Sequence, residues 1–252
     1  MTARLSDQTV FVTGAGSGIG RATAILAASE GAAVVCADVD EKTLRETVAA
    51  LEADGARAHA VPCNVMDPAS VTAAMAAGAE AFDGLDVLFN VAGIGGLAHT
   101  EDVSFEEWQR ILGVNLTGTF LVSQAALPHL LAKRRSAIVN VASVAGLNGQ
   151  AYSAAYCASK WGVVGLTKAL AVEYVKRGLR VNCVCPAGVK TPLMGKFGFP
   201  ENADVDLIKR FGLVPKFTHP EEVAEALVYL GSSAARSING VALPLDFGNS
   251  AT

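Results

Sequence analysis

The chain has 252 residues, of which 51% are hydrophobic and 17% charged, with a formal net charge of −4. That length fits one large α/β domain with a sizeable core, and the small negative charge gives no reason to expect a nucleic-acid partner. No uninterrupted apolar run approaches membrane-spanning length, and the opening residues run into Ser6, Asp7 and Gln8 without a signal-peptide pattern, so a cytoplasmic protein with no membrane partner is expected.

The five cysteines, Cys36, Cys63, Cys157, Cys183 and Cys185, fall at irregular spacings with no C-x-x-C pair. His59, His99, His129 and His219 are scattered singly, so neither a disulfide framework nor a metal site is expected. Cys157 has no histidine near it in sequence and reads as a buried, reduced thiol.

In chain order, 9–13 reads as a buried strand, followed at once by Thr13-Gly14-Ala15-Gly16-Ser17-Gly18-Ile19-Gly20 and a helix over 22–29. Gly14, Gly18 and Gly20 allow a tight turn and a close approach to a pyrophosphate at the helix N-terminus. A second strand, 33–37, ends at Asp38, where a carboxylate suits adenosine ribose hydroxyls and repels a 2′-phosphate. No Arg or Lys lies in the glycine loop or at 36–40, so NAD is the expected cofactor rather than NADP. Helix 41–54, strand 57–61, helix 69–82 opened by Asp67-Pro68, and strand 85–89 continue the alternation. Ser104 and Glu107 form a capping-box pattern for a long helix over 105–131.

Strand 137–141 ends just before Ser143, and a glycine-containing loop leads to a helix from near 152 to 177 that carries Tyr156 and Lys160. Strand 179–184 follows. From 192 to about 216 the pattern loosens, with Met194, Phe197, Phe199, Phe211 and Leu213 among glycines and prolines, as in a mobile lid over an apolar substrate. Helix 220–230 and strand 241–245 close the chain, Pro244 marking a strand end or edge. The expectation is one α/β domain, 1–252, built as a Rossmann-type doubly wound parallel sheet of about seven strands with helices on both faces.

Tyr156 and Lys160 are four apart, so they share a helix face. A lysine ammonium favours a neighbouring phenolate, which predicts a Tyr156 pKa below its ordinary value of ~10 and within reach of general acid–base work. A serine hydroxyl beside them can hydrogen-bond an oxygen on which charge develops. The three suit proton exchange with an alcohol or a ketone.

Ser143, Tyr156 and Lys160, together with the glycine loop in its G-x-x-x-G-x-G spacing, resemble the short-chain dehydrogenase/reductase superfamily over essentially the whole chain. The resemblance implies an NAD-dependent oxidoreductase of a secondary alcohol or ketone, with Asn115 as a fourth catalytic residue in a proton relay. Cofactor contacts are implied at Gly14, Ser17, Gly18, Ile19, Gly20, Asp38, Asn64, Val65, Asn90, Ala92, Gly93, Tyr156, Lys160, Pro186, Val189 and Thr191, and substrate contacts at Ser143, Tyr156 and Met194. Four positions depart from the family pattern: Asn64 for a frequent Asp that touches the adenine, Val91 for the second Asn of Asn-Asn-Ala-Gly, Ala187 for a frequent Gly, and Phe247 within Asp246-Phe247-Gly248. The family also implies a dimer or tetramer through helices 105–131 and 152–177. The alternatives are a 3-oxoacyl-carrier-protein reductase, disfavoured by Asp38, and a non-catalytic NAD-binding sensor or scaffold.

Overall fold

The computed structural model describes residues 3–196, 198–211 and 216–251, without the side chains of Lys196 and Arg210. Phe197 and Leu213, expected in the lid, lie outside the described residues. Among the described residues seven strands form one sheet: β1 (Thr9–Thr13), β2 (Ala33–Asp38), β3 (Ala58–Pro62), β4 (Val87–Asn90), β5 (Ser136–Val141), β6 (Leu179–Pro186) and β7 (Ala242–Leu245). Their order is β3-β2-β1-β4-β5-β6-β7, with every neighbouring pair parallel. Pro244 sits where its missing N–H is harmless, on the edge strand.

The strands read as continuous apolar runs because both faces are covered, and alternate residues part to opposite sides. Val10, Val12, Val34 and Cys36 pack with Ala24, Leu44, Val48 and Leu227, from helices α1 (Gly18–Ser29), α2 (Glu41–Ala53) and α8 (Pro220–Gly231). Phe11, Val35, Ile138 and Val181 pack on the other face with Met75, Val122, Leu130 and Leu170, from α3 (Pro68–Ala81), α5 (Gly118–Ala132) and α6 (Ala154–Tyr174). The chain winds outward from β1 to β3 and returns to β4, so the sheet has its switch point between β1 and β4. Ligands of such sheets bind at the carboxyl ends of those strands.

Several boundaries differ from expectation for identifiable reasons. Helix α1 opens at Gly18, four residues ahead of the expected 22, so its first turn lies inside the glycine loop. The expected helix 105–131 is two helices, α4 (Phe105–Leu112) and α5, joined by a π-helical turn at Gly113–Thr117. That turn follows from Asn115, whose side chain bonds outside the helix. Of the capping box, Ser104 accepts from Glu107 N (3.1 Å), but the Glu107 carboxylate turns to Arg110 (2.7 Å) instead of the N-cap amide. Helix α6 starts at Ala154, because Tyr152 has a left-handed backbone with φ +62°. The composite helix Phe105–Ala132, 28 residues with an 18-residue window of mean hydropathy 1.3, is by length and composition alone long and apolar enough to span a bilayer, although Glu106, Glu107, Arg110 and Asn115 interrupt its apolar run. Its α5 part contributes Val122, Ala126 and Leu130 to the core, as a sheet-covering helix does.

Candidate active site

At the switch point the loop after β1 meets the loop after β4. Thr13 Oγ1 accepts from Val91 N (2.9 Å) and Ala92 N (3.1 Å), which locks the two loops together. Gly14 has φ +68°, and a Cβ there would sit 3.0 Å from Ala92 N and Cα. Gly20 lies against the Gly14 carbonyl with no room for a side chain. Gly18, at φ +51°, lies against the Thr191 methyl, 3.0 Å from its own ideal Cβ, so the loop after β6 reaches across to the same cradle. Asp38 ends β2 beside it, its Oδ2 accepting from Gly16 N (2.8 Å) and its Oδ1 from Asp40 N (3.0 Å). Bare backbone, an open helix N-terminus and one carboxylate fit a dinucleotide: the amides suit a pyrophosphate and the carboxylate a ribose.

The remaining sites predicted around that cradle are placed as follows. Val65, Asn90 and Ala92 line one small crevice with Thr13. Asn90 is buried, donating to Ser123 Oγ (3.0 Å) and Asn140 Oδ1 (2.9 Å), so it ties β4 to β5 and α5. Asn64 is exposed and its Oδ1 accepts from Met66 N (3.1 Å), serving its own turn. Ser17 and Ile19 flank the start of α1. Beyond β6, Val189 pairs with Thr218, Met194 N donates to Thr191 O (3.1 Å), and Met194 and Phe217 both lie against Gly188.

The second half of the site stands at the carboxyl end of β5. Ser143 is buried with an extended backbone, and its Oγ caps the short turn Val144–Gly146 by accepting from Ala145 N (3.1 Å). Its hydroxyl donates to Pro186 O at 3.5 Å and stands on the side of the Tyr156 phenol, whose ionisation it eases. Lys160 is buried; its Nζ donates to Val141 O (2.8 Å) and lies 5.7 Å from the centre of the Tyr156 ring. Gly93 completes the corner, since a Cβ there would lie 3.5 Å from Lys160 Nζ and 3.3 Å from Asn115 Oδ1. The structure therefore brings Ser143, Tyr156, Lys160, Gly93 and Asn115 together.

The expected depression of the Tyr156 pKa is not found. Burial pushes the phenol above its ordinary value, only partly offset by the Ser143 hydroxyl. Burial also lowers the Lys160 ammonium to about 8. Desolvation disfavours the charged form of both groups, and the ammonium is committed to the Val141 carbonyl. Cys157 is half-buried rather than buried, and burial raises its thiol.

Asn115 is the residue whose place is most tightly determined. It is 1% exposed, its Oδ1 accepts from Ile94 N (2.8 Å), and its Nδ2 donates to Ile94 O (2.9 Å) and Ser159 Oγ (3.0 Å). Ser159 in turn donates to Tyr156 O (2.7 Å). Ser159 escaped the sequence reading, and the sequence assigned no role of their own to Thr13, at the head of the glycine motif, or to Gly146, where a Cβ would lie 2.6 Å from Lys160 O. A polar residue at a core-facing helical position was the available signal for Ser159; the close approach at Gly146 had none.

The family model for short chain dehydrogenases matches residues 8–201. The chain belongs to the short-chain dehydrogenase family. It is 39% identical to 2-(S)-hydroxypropyl-CoM dehydrogenase 3 of Xanthobacter autotrophicus, covering 100% of both chains. It is 40% identical to D-threitol dehydrogenase of Mycolicibacterium smegmatis (97% of this chain, 94% of the relative) and 39% identical to cyclohexanol dehydrogenase of an Acinetobacter species (95% and 94%). Among solved structures, a 3-ketoacyl-(acyl-carrier-protein) reductase from Brucella melitensis complexed with NADH superposes with TM-score 0.89 at 34% identity, covering 98% of this chain and 99% of that one. A short chain dehydrogenase from Burkholderia cenocepacia in complex with NADP gives 0.88 at 31%, covering 98% and 99%. The protein is an oxidoreductase of this family.

Proposed function

We propose that the protein interconverts a secondary alcohol and its ketone, with NAD as the preferred nicotinamide cofactor. The observation that carries this reading is the meeting of Ser143, Tyr156, Lys160 and Gly93, with Lys160 Nζ 5.7 Å from the Tyr156 ring centre, beside a glycine cradle flanked by Asp38. The bound cofactor would accept or supply the hydride. Tyr156 exchanges the proton of the substrate oxygen, and Ser143 orients that oxygen by hydrogen bonding. We assign Lys160 to holding the ribose next to the nicotinamide and to returning the proton to Tyr156. Asn115 keeps the Ile94 and Tyr156 backbones in register, and we assign it the relay role between Lys160 and solvent.

Asp38 favours NAD: its carboxylate faces the cradle, and a 2′-phosphate there meets a like charge. Pro186, Val189 and Thr191 are assigned to the nicotinamide end and Met194 to the substrate. The described part of the 192–216 segment supplies the lid. Relatives named for cyclohexanol and threitol support a hydroxyl-bearing ring or short chain as substrate. The 34% identity with a 3-ketoacyl-(acyl-carrier-protein) reductase keeps ketoacyl reduction as the second reading. A sensor without turnover is the reading from another class, against which all four catalytic positions are filled. Self-association through α4, α5 and α6 is part of the proposal.

The test is absorbance of the reduced nicotinamide with NAD and then NADP across cyclic, acyclic and polyol secondary alcohols, with acetoacetyl thioesters in the reverse direction. Tyr156→Phe, which removes only the proton-carrying atom, is expected to lower kcat by about 10²–10⁴ while cofactor binding persists. Better turnover with NADP overturns the Asp38 argument. Cofactor binding with no turnover on any of these substrates favours the sensor.

A further inference from the structure

Two side chains that the reaction does not use tie the loop after β4, the approach to α6 and the segment 198–211 together. Tyr152 holds φ +62°, a conformation rare for a bulky residue and retained only where its surroundings fix it. Its carbonyl accepts from Ala98 N (2.9 Å), and its ring meets the His99 ring edge-on, with centres 5.1 Å apart at 83°. The phenol oxygen accepts from Asp204 N (2.8 Å). His99 Nε2 lies 3.0 Å from Glu201 O; a carbonyl only accepts, so Nε2 carries the hydrogen. Asp204 caps the short helix α7 (Val205–Ile208) by accepting from Asp206 N (2.8 Å). The segment is closed on itself by the Phe199 and Phe211 rings, 5.6 Å apart, and its far end is held by Asn249 Nδ2 donating to Phe211 O (3.4 Å).

Both anchors stand on chain that leads straight into the site. Tyr152 is four residues before Tyr156, and His99 is six after Gly93, which lies against Lys160. A left-handed residue at 152 keeps the chain out of the helix, and the phenol reaches Asp204 in the 198–211 segment. We infer that Tyr152 and His99 are positioning residues that latch the 198–211 segment over the substrate side of Tyr156 and set how firmly a substrate is retained. This rests on the reading of Tyr156 as the proton-exchanging group.

The experiment is hydrogen exchange by mass spectrometry on the full chain, paired with steady-state kinetics, for Tyr152→Phe and His99→Phe. The first keeps the ring and loses the acceptor for Asp204 N; the second keeps the edge contact and loses the donor to Glu201 O. Loss of one such bond is expected to speed exchange of amides in 198–211 about fivefold. KM for the secondary alcohol should rise by a similar factor, with kcat and the cofactor dissociation constant unchanged. Unchanged exchange in both variants overturns the latch. Faster exchange with unchanged KM overturns the retention role. Wild-type protein inactive on every alcohol, with exchange still responding to Tyr152→Phe, counts against the proposed function and leaves the latch standing.

Discussion

At the residue scale, burial governs both central ionisable groups and works against charge in each. Lys160 titrates at about 8 in the folded protein against 10.5 for an ordinary lysine. Below pH 8 folded and unfolded chains both carry the proton, so the cost of burying the charge is fully present. Between pH 8 and 10.5 the folded protein releases it first, and stability rises with pH through that window. Lys160→Met removes the buried charge but also the donor to Val141 O, a loss of about 1 kcal/mol. We expect the variant to be inactive yet to melt about 2–6 °C higher at pH 7, the gain shrinking towards pH 10, as read by thermal unfolding at several pH values. A lower Tm at pH 7 would show that the carbonyl contact outweighs desolvation. The raised Tyr156 phenol has the same cause: burial favours its neutral form, and the Ser143 hydroxyl eases its ionisation.

At the element scale, the site depends on two close approaches to α6, one by backbone and one by the Leu116 side chain. The turn Val144–Gly146 lies so near that a Cβ at Gly146 would stand 2.6 Å from Lys160 O and 2.8 Å from its carbonyl carbon. Neither is the end of a flexible side chain, so the turn itself must shift, and Ser143 with it. Gly146→Ala is therefore expected to fold with a lower Tm and to lose about 10- to 100-fold in kcat, since small misplacements of a catalytic group cost rates of that order. Cofactor affinity should remain, because the cradle is built from other loops; an unchanged kcat would show that the turn relaxes without moving Ser143. The second approach is the π-helical turn, whose Leu116 packs where a Cβ of Gly162 would be. It allows a buried asparagine within an otherwise continuous helix to turn its amide outward to Ile94.

At the scale of the whole molecule, the helices beside the site leave large apolar side chains in solvent. Phe105 is 68% exposed, Phe120 43%, Trp161 51% and Val172 77%. They belong to α4, α5 and α6, the elements proposed to mediate self-association, and an exposed apolar face of this kind is a ready interface. Light scattering after gel filtration should give a dimer or tetramer, and Trp161→Arg should shift it towards monomer. A monomeric wild type at micromolar concentration would sink the proposed assembly.

The sequence by itself determined the family, the fold class and the order of the strands, and it singled out the side chains to which chemistry is assigned in the proposed function. Alternating apolar runs and helical periods need no tertiary information, and Tyr156 and Lys160 share a helix face through local geometry alone. The glycine loop followed by Asp38 was equally legible, because its spacing reflects one strand–turn–helix unit. Tertiary structure decided what depends on distant segments. Asn115 became the brace of the site only when Ile94 and Ser159 came within hydrogen-bonding reach, and that placement also made the π-helical turn. The Tyr156 pKa went the opposite way from the pairwise expectation, since a neighbouring charge can be read from spacing while desolvation is set by everything packed around it. Tyr152, His99 and Gly146 gave no signal for the same reason: their roles are contacts with Asp204, Glu201 and Lys160, and only the folded chain brings those together.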